Sequence, residues 1–121
     1  MSATANTNGI LYADLTFQSS LKNQVNAIFG YGTTGGYTTK TNQVSNLGVV
    51  ATDVTSSGTA RYKLAATSYG GDKAIFGYGM NATNTRLSMT NLVSNTGVVA
   101  TDTTGVGTAR RDLAAAGFSL T

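Results

Sequence analysis

Short apolar runs, rich in β-branched and aromatic residues and broken by Gly, Asn, Asp and Thr, pattern this chain from end to end. AIFGYG stands at residues 27–32 and again at 74–79, and GVVATD at 48–53 and 97–102. Each reads as a strand of about five residues, because such side chains suit a pleated, half-buried surface and the acidic residue ends the run at a turn. NQVS (42–45) with TNLVS (90–94), and TARYKLAATSY (59–69) with TARRDLAAAGF (108–118), supply two further strand candidates. Gly70, Gly71 and Asp72 mark a turn between elements. Leu and Ala in RYKLAATSY and RRDLAAAGF are also good helix formers, but the flanking GTAR and Gly-rich turns leave too few residues for a stable helix, and strands are expected. The expected core is Val49, Val50, Val98 and Val99 together with Ile28, Phe29, Ile75, Phe76, Leu64 and Leu113.

The runs recur in order, so the chain is an internal repeat. Ile28 maps to Ile75, a shift of 47, whereas Val44 maps to Val93 and Gly58 to Gly107, a shift of 49. The two added residues fall between TTGGYTTKT (33–41) and MNATNTRLSMT (80–90). A length change confined to a polar stretch marks a loop, since strand ladders do not absorb it. Four short strands in a unit of this length is the signature of a propeller blade. The predicted organisation is an N-terminal arm or extra strand at 1–21, a first blade at 22–60, a second at 61–106, and a C-terminal strand at 107–121. The segment NGILYADLTFQ (8–18) alternates Ile10, Tyr12 and Asp14 against Leu11, Ala13 and Leu15, which suggests a strand or an attachment arm.

Written from Arg61 to Arg110, the unit RYKLAATSYGGDKAIFGYG, a variable loop, and TNLVSNTGVVATDTTGVGTAR resembles the kelch family of β-propellers. In that family an Arg opens the innermost strand, a Gly-containing apolar strand follows a short turn, and two outer strands complete the blade. The kelch Trp is missing here, and Gly-Tyr-Gly stands in place of the double Gly. The resemblance covers residues from about 22 to 121, and it implies an all-β protein with two kelch-like four-stranded blades per chain. The GVVATDTTGVGTAR wording also looks like that of repeats in bacteriophage and environmental virus structural proteins.

By sequence the first blade is expected to lack its inner strand, since no GTAR-x-x-LAA precedes it, while the chain ends in an inner strand with no blade after it. Two blades alone leave apolar faces open, so the expected ring is a homo-oligomer in which each C-terminal strand completes the neighbour's first blade. A trimer with six blades is favoured, and a tetramer with eight is the alternative.

Composition changes the picture mainly by exclusion. The 121 residues hold no Cys, Pro, Trp, His or Glu, and 11% are charged. No catalytic residue, cofactor or metal set is expected: general acid-base work usually needs His or paired carboxylates, and TD-x-T-x-x-G lacks the alternating oxygens of a calcium loop. Asp53 and Asp102 read as turn or Arg-pairing residues. The net charge of +3 is scattered with no basic run, so no nucleic-acid role is expected. Neither a cleavable leader nor a run of about 18–20 apolar residues is present in the sequence, so the expectation is a virion or extracellular protein outside the membrane.

Four residues are candidates for ligand binding: Tyr31 and Tyr78, whose rings would stack on a sugar, and Arg61 and Arg110 through their donors. The competing reading is that each Arg bridges adjacent blades through backbone carbonyls or a neighbouring Asp. Two functions follow. The first is a structural or adhesive virion protein, a capsid decoration or tail-associated subunit that reaches another virion protein through its arm. The second is a lectin for cell-surface glycan, similar in plan to bacterial fucose-binding lectins with two-blade subunits, although those sites are built around Trp.

Overall fold

The computed structural model describes residues 26–119, so the N-terminal arm and the NGILYADLTFQ strand expected from the sequence lie outside the described residues. Within that span the protein is all-β with no helix, and it carries two three-stranded antiparallel sheets. The first sheet has the order β1 (Ala27–Gly30), β2 (Lys40–Val44), β3 (Val54–Thr55). The second has the order β4 (Ala65–Tyr69), β5 (Lys73–Gly77), β6 (Thr90–Val93). Each sheet holds three strands where the sequence suggested four.

The two sheets are the same ladder read through different windows. β1 pairs β2 from Ala27↔Val44 to Gly30↔Thr41, and β5 pairs β6 from Ala74↔Val93 to Gly77↔Thr90, the same register one unit on. The Thr41↔Val54 pair of β2 and β3 returns as the single bridge Thr90↔Thr103, so the outer strand of the second unit shrinks to one pair. β4 pairs β5 from Ala65↔Gly77 to Tyr69↔Lys73, across a tight hairpin whose Gly70 and Gly71 sit at φ 65° and 83°. Both values lie where only glycine turns without strain. The added length falls at a hairpin tip: the bridge Thr33↔Tyr37 encloses three residues, and its counterpart Met80↔Arg86 encloses five.

Residues 113–118 repeat the Leu-Ala-Ala of β4 but form no strand. A strand needs a ladder partner, and among the described residues none pairs with this segment. The segment nonetheless runs beside β4: Asp112 N–H donates to Lys63 O (2.9 Å), and a Cβ on Gly117 would stand 3.2 Å from Ser68 O.

The core lies between the units. Tyr31 of the first packs against Phe76, Val93 and Val99 of the second, with Ile28, Leu64 and Ala74 at its margin. The Tyr31 and Phe76 rings meet edge to face at 5.1 Å, a preferred geometry for aromatic pairs. The expected core is therefore only half right. Val99 and Phe76 are buried, whereas Val49, Val50, Val98 and Phe29 are exposed. Val49 and Val98 are exposed in both units because successive residues of extended chain face opposite sides, so each Val pair sends only one side chain inward. Val50 and Phe29 have a different cause. Their counterparts Val99 and Phe76 are covered by the preceding unit, and the first unit has no preceding unit among the described residues.

Candidate functional site

The feature most completely built by this fold is the joint where one unit meets the next. Arg61, wholly buried, is its centre. Its Nε donates to Tyr78 O (2.7 Å) and its Nη1 to Thr59 O (3.0 Å), and the guanidinium lies over the Tyr31 ring at 4.7 Å. Tyr31 sits at φ 64° and Gly32 at φ 101°, which turns the chain so that the Gly32 amide donates to Arg61 O (3.0 Å) and the Tyr31 hydroxyl to Ser57 O (3.0 Å). A positive φ is uncommon for tyrosine, and this one is held by bonds at both ends.

Asn91 is wholly buried as well. Its amide donates to Ala100 O (3.1 Å) and to Asp102 Oδ1 (2.9 Å). Asp102 in turn accepts from the Thr59 amide (3.1 Å) and hydroxyl (2.7 Å), which ties the second unit to the strand entry that precedes it. Burial pushes the Asp102 pKa up, but the bonds from Asn91 and Thr59 and the nearby Arg61 charge outweigh it and hold the carboxyl below its ordinary range. Burial also raises the Tyr31 hydroxyl, opposed by Arg61, and lowers Arg61, opposed by Tyr31 and Asp102. Arg61 Nη2 and Asn91 Oδ1 are buried without a partner, so part of the joint's gain is offset. Phe76 reaches across the joint onto Gly30: a Cβ there would stand 2.8 Å from Phe76 Cζ, closer than atoms can sit.

The same constellation is built a second time, as a half. Arg110 lies over the Tyr78 ring at 4.3 Å, and its Nη1 donates to Thr108 O (3.0 Å). The Gly79 amide donates to Arg110 O (2.9 Å), and the Tyr78 hydroxyl to Val106 O (2.9 Å). Tyr78 and Gly79 repeat the backbone of Tyr31 and Gly32, at φ 65° and 103°. What is missing is the side that a following unit would bring, and Arg110 is exposed. At the other end of the chain stands the complementary half. Asn42 donates to Ala51 O (3.1 Å) and Asp53 Oδ1 (2.8 Å), the arrangement of Asn91 and Asp102, with no threonine beneath it among the described residues.

Tyr31 and Arg61 are thus brought together, as are Tyr78 and Arg110, and Arg61 also reaches the Tyr78 carbonyl. Arg61 spends two donors on backbone carbonyls, as the bridging reading expects. Asp102 does not pair with it directly; the carboxylate holds Asn91 and Thr59 instead. Sequence reasoning passed over Asn91 and Thr59. The repeated Asn of NQVS and TNLVS was the available signal for Asn42 and Asn91. An open cleft of about 430 Å³ lies between β1 and β4, walled by Ala27, Ile28, Ala66, Thr67 and Ser68. Among the described residues no helix is long and apolar enough to cross a membrane.

No protein-family model matches this chain, and a search of curated proteins finds no match. The class is accordingly defined by the fold and the joint: an all-β repeat protein whose units stack through a buried Arg-Tyr-Asn core.

Proposed function

We propose that this chain is a non-enzymatic structural or adhesive protein that works by self-assembly, closing into a ring of kelch-like β-propeller blades on a virion as a decoration or tail-associated subunit. One observation carries the assembly reading. The joint around Arg61 is rebuilt in part around Arg110, which keeps the tyrosine stack and the bond to the threonine carbonyl but has no counterpart of the Arg61 Nε bond among the described residues. The sequence adds support, since without His, Cys or Glu it offers little chemistry beyond shape. Multi-angle light scattering on the purified 12.4 kDa chain tests it. A trimeric mass is expected, a tetramer would change the blade count alone, and a folded single chain at micromolar concentration would end the ring reading.

Glycan binding is the second reading, favoured by the hairpin tips. Residues 34–36 and 81–85 differ in length and composition while the joints beneath them are conserved from unit to unit. A recognition surface is expected to vary where a scaffold does not. Replacing 81–85 by the shorter tip should abolish glycan-array binding and leave the mass unchanged.

A further inference from the structure

Several residues that are open at one end of the described chain have buried or bonded counterparts in the internal joint. At the front, Phe29 is 64% and Val50 54% exposed, whereas Phe76 and Val99, the same residues one unit on, are 4% and 7% exposed. The preformed Asn42–Asp53 pair is likewise the counterpart of Asn91–Asp102. At the back, Arg110 is exposed where Arg61 is 0% exposed. Gly77 offers the place that Gly30 gives to Phe76, and a Cβ on it would meet only Thr90 Cγ2, at 3.2 Å. Gly107, counterpart of the crowded Gly58, has only the Tyr78 hydroxyl near it, at 3.5 Å. The front lacks what the back presents, and the reverse.

Resting on the assembly reading above, we infer that the front of a second copy docks on the back of the first by repeating the internal joint. Phe29 of the second copy covers Gly77 and Tyr78, as Phe76 covers Gly30 and Tyr31. Asp53 of the second copy accepts from the Thr108 amide and hydroxyl, as Asp102 accepts from Thr59. Arg110 passes from solvent to full burial. The cleft beside β1 is filled by residues 113–118 of the first copy, which pair with β1 of the second as β4 pairs with β5: Ala114 opposite Gly30, Ala115 opposite Phe29 and Ala116 opposite Ile28. The contact is heterologous, so it leads to a closed ring rather than a two-fold dimer when the rotation suits.

Two variants at positions exposed in the single chain test it: Phe29→Asp for the front and Arg110→Glu for the back, each checked for native circular dichroism and weighed by light scattering. Where the wild type is assembled, each variant alone is expected to run as a single chain, its dissociation constant raised by about a hundredfold or more. An equimolar mixture is expected to give a two-chain species and nothing larger, because only one intact front and one intact back remain. Persistent full-size assembly of Phe29→Asp, or a mixture that stays single-chain, overturns this docking while leaving assembly standing. A single-chain wild type overturns the assembly reading itself. For the strand, an Ala116→Cys, Ile28→Cys double variant should give oxidised multimers on a non-reducing gel, since directly opposed residues lie about 4.5–5.5 Å apart at Cβ. Assembly without that cross-link would mean that another segment lies along β1.

Discussion

Arg61→Ala strikes the internal joint at its most buried point, and its twin Arg110→Ala is the natural control. Arg61 makes two charge-assisted hydrogen bonds, to Tyr78 O at 2.7 Å and Thr59 O at 3.0 Å, and stacks on Tyr31. Such bonds contribute about 1.5–3 kcal/mol each, and a desolvated cation-ring contact adds about 1–2 kcal/mol. Against this stand the desolvation of the guanidinium and its partnerless Nη2. The truncation also leaves two carbonyls without donors in a closed site, so the net loss is expected at about 3–5 kcal/mol. Arg110 makes one such bond and one such stack, but in solvent, where the pair contributes about 1 kcal/mol or less. The assay is urea denaturation followed by far-ultraviolet circular dichroism, at a dilution where the midpoint no longer depends on protein concentration. With a slope of about 1–1.5 kcal/mol per molar urea for a domain of this size, Arg61→Ala should lower the midpoint by about 2–5 M. Arg110→Ala should move it by less than about 1 M. If Arg61→Ala proves as mild as Arg110→Ala, the joint is not what holds the two units together.

Three further outcomes are expected from the single chain. Asp102 has a folded pKa below its ordinary value of 3.8, so its stabilisation is complete above that value and is lost as pH falls through the folded one. Urea midpoints should therefore drop between about pH 4 and pH 2, and Asp102→Asn should flatten that decline while lowering the neutral-pH midpoint. Gly79→Ala must place a Cβ 2.7 Å from Tyr62 O at φ 103°, and it should cost more than about 2 kcal/mol, read as a fall of roughly 10 °C in thermal midpoint. Gly32→Ala carries the same φ strain with nothing within 4 Å, so it should cost about half as much. Val99→Asp buries a charge beside Phe76 and Val93 and should unfold the chain, whereas Val98→Asp, 64% exposed, should change stability by about 0.5 kcal/mol or less by calorimetry.

The strands at 27–30, 40–44, 65–69, 73–77 and 90–93 and the hairpin tip that absorbs two extra residues were legible from the repeat, because apolar alternation and turn glycines are local signals; GVVATD, expected as a strand in both units, pairs only through the single bridges Val44↔Val50 and Val93↔Val99. Burial was not. Phe29 and Phe76 occupy the same AIFG motif, and Val50 and Val99 the same GVVATD motif, yet one of each pair is open and the other closed. What differs is whether a preceding unit lies across them, a fact about neighbours that no local window contains. The same reason hid the joint. Tyr31, Tyr78, Arg61 and Arg110 stood out by residue type, but Thr59 is chemically unremarkable and gains its part only from its bonds to Asp102, 43 positions on. The failure of residues 113–118 to form a strand was likewise unreadable from Leu-Ala-Ala alone, since the same three residues lead into β4.

Because β1 and β5 carry the same AIFG, residues 113–118 would face two equivalent docking strands in the proposed assembly, and sequence identity between units would become a source of frustration. A tail that displaced β4 from β5 would give a domain-swapped tangle with nearly the same ladder. The discrimination is kinetic and local. β4 is tethered to β5 through the three residues Gly70, Gly71 and Asp72, so it closes its hairpin in microseconds, long before a second chain arrives. Among the described residues, only β1 then remains open on that edge. Lengthening that hairpin by a few glycines would surrender the head start, and the proposed assembly of fixed size would give way to a distribution of swapped species.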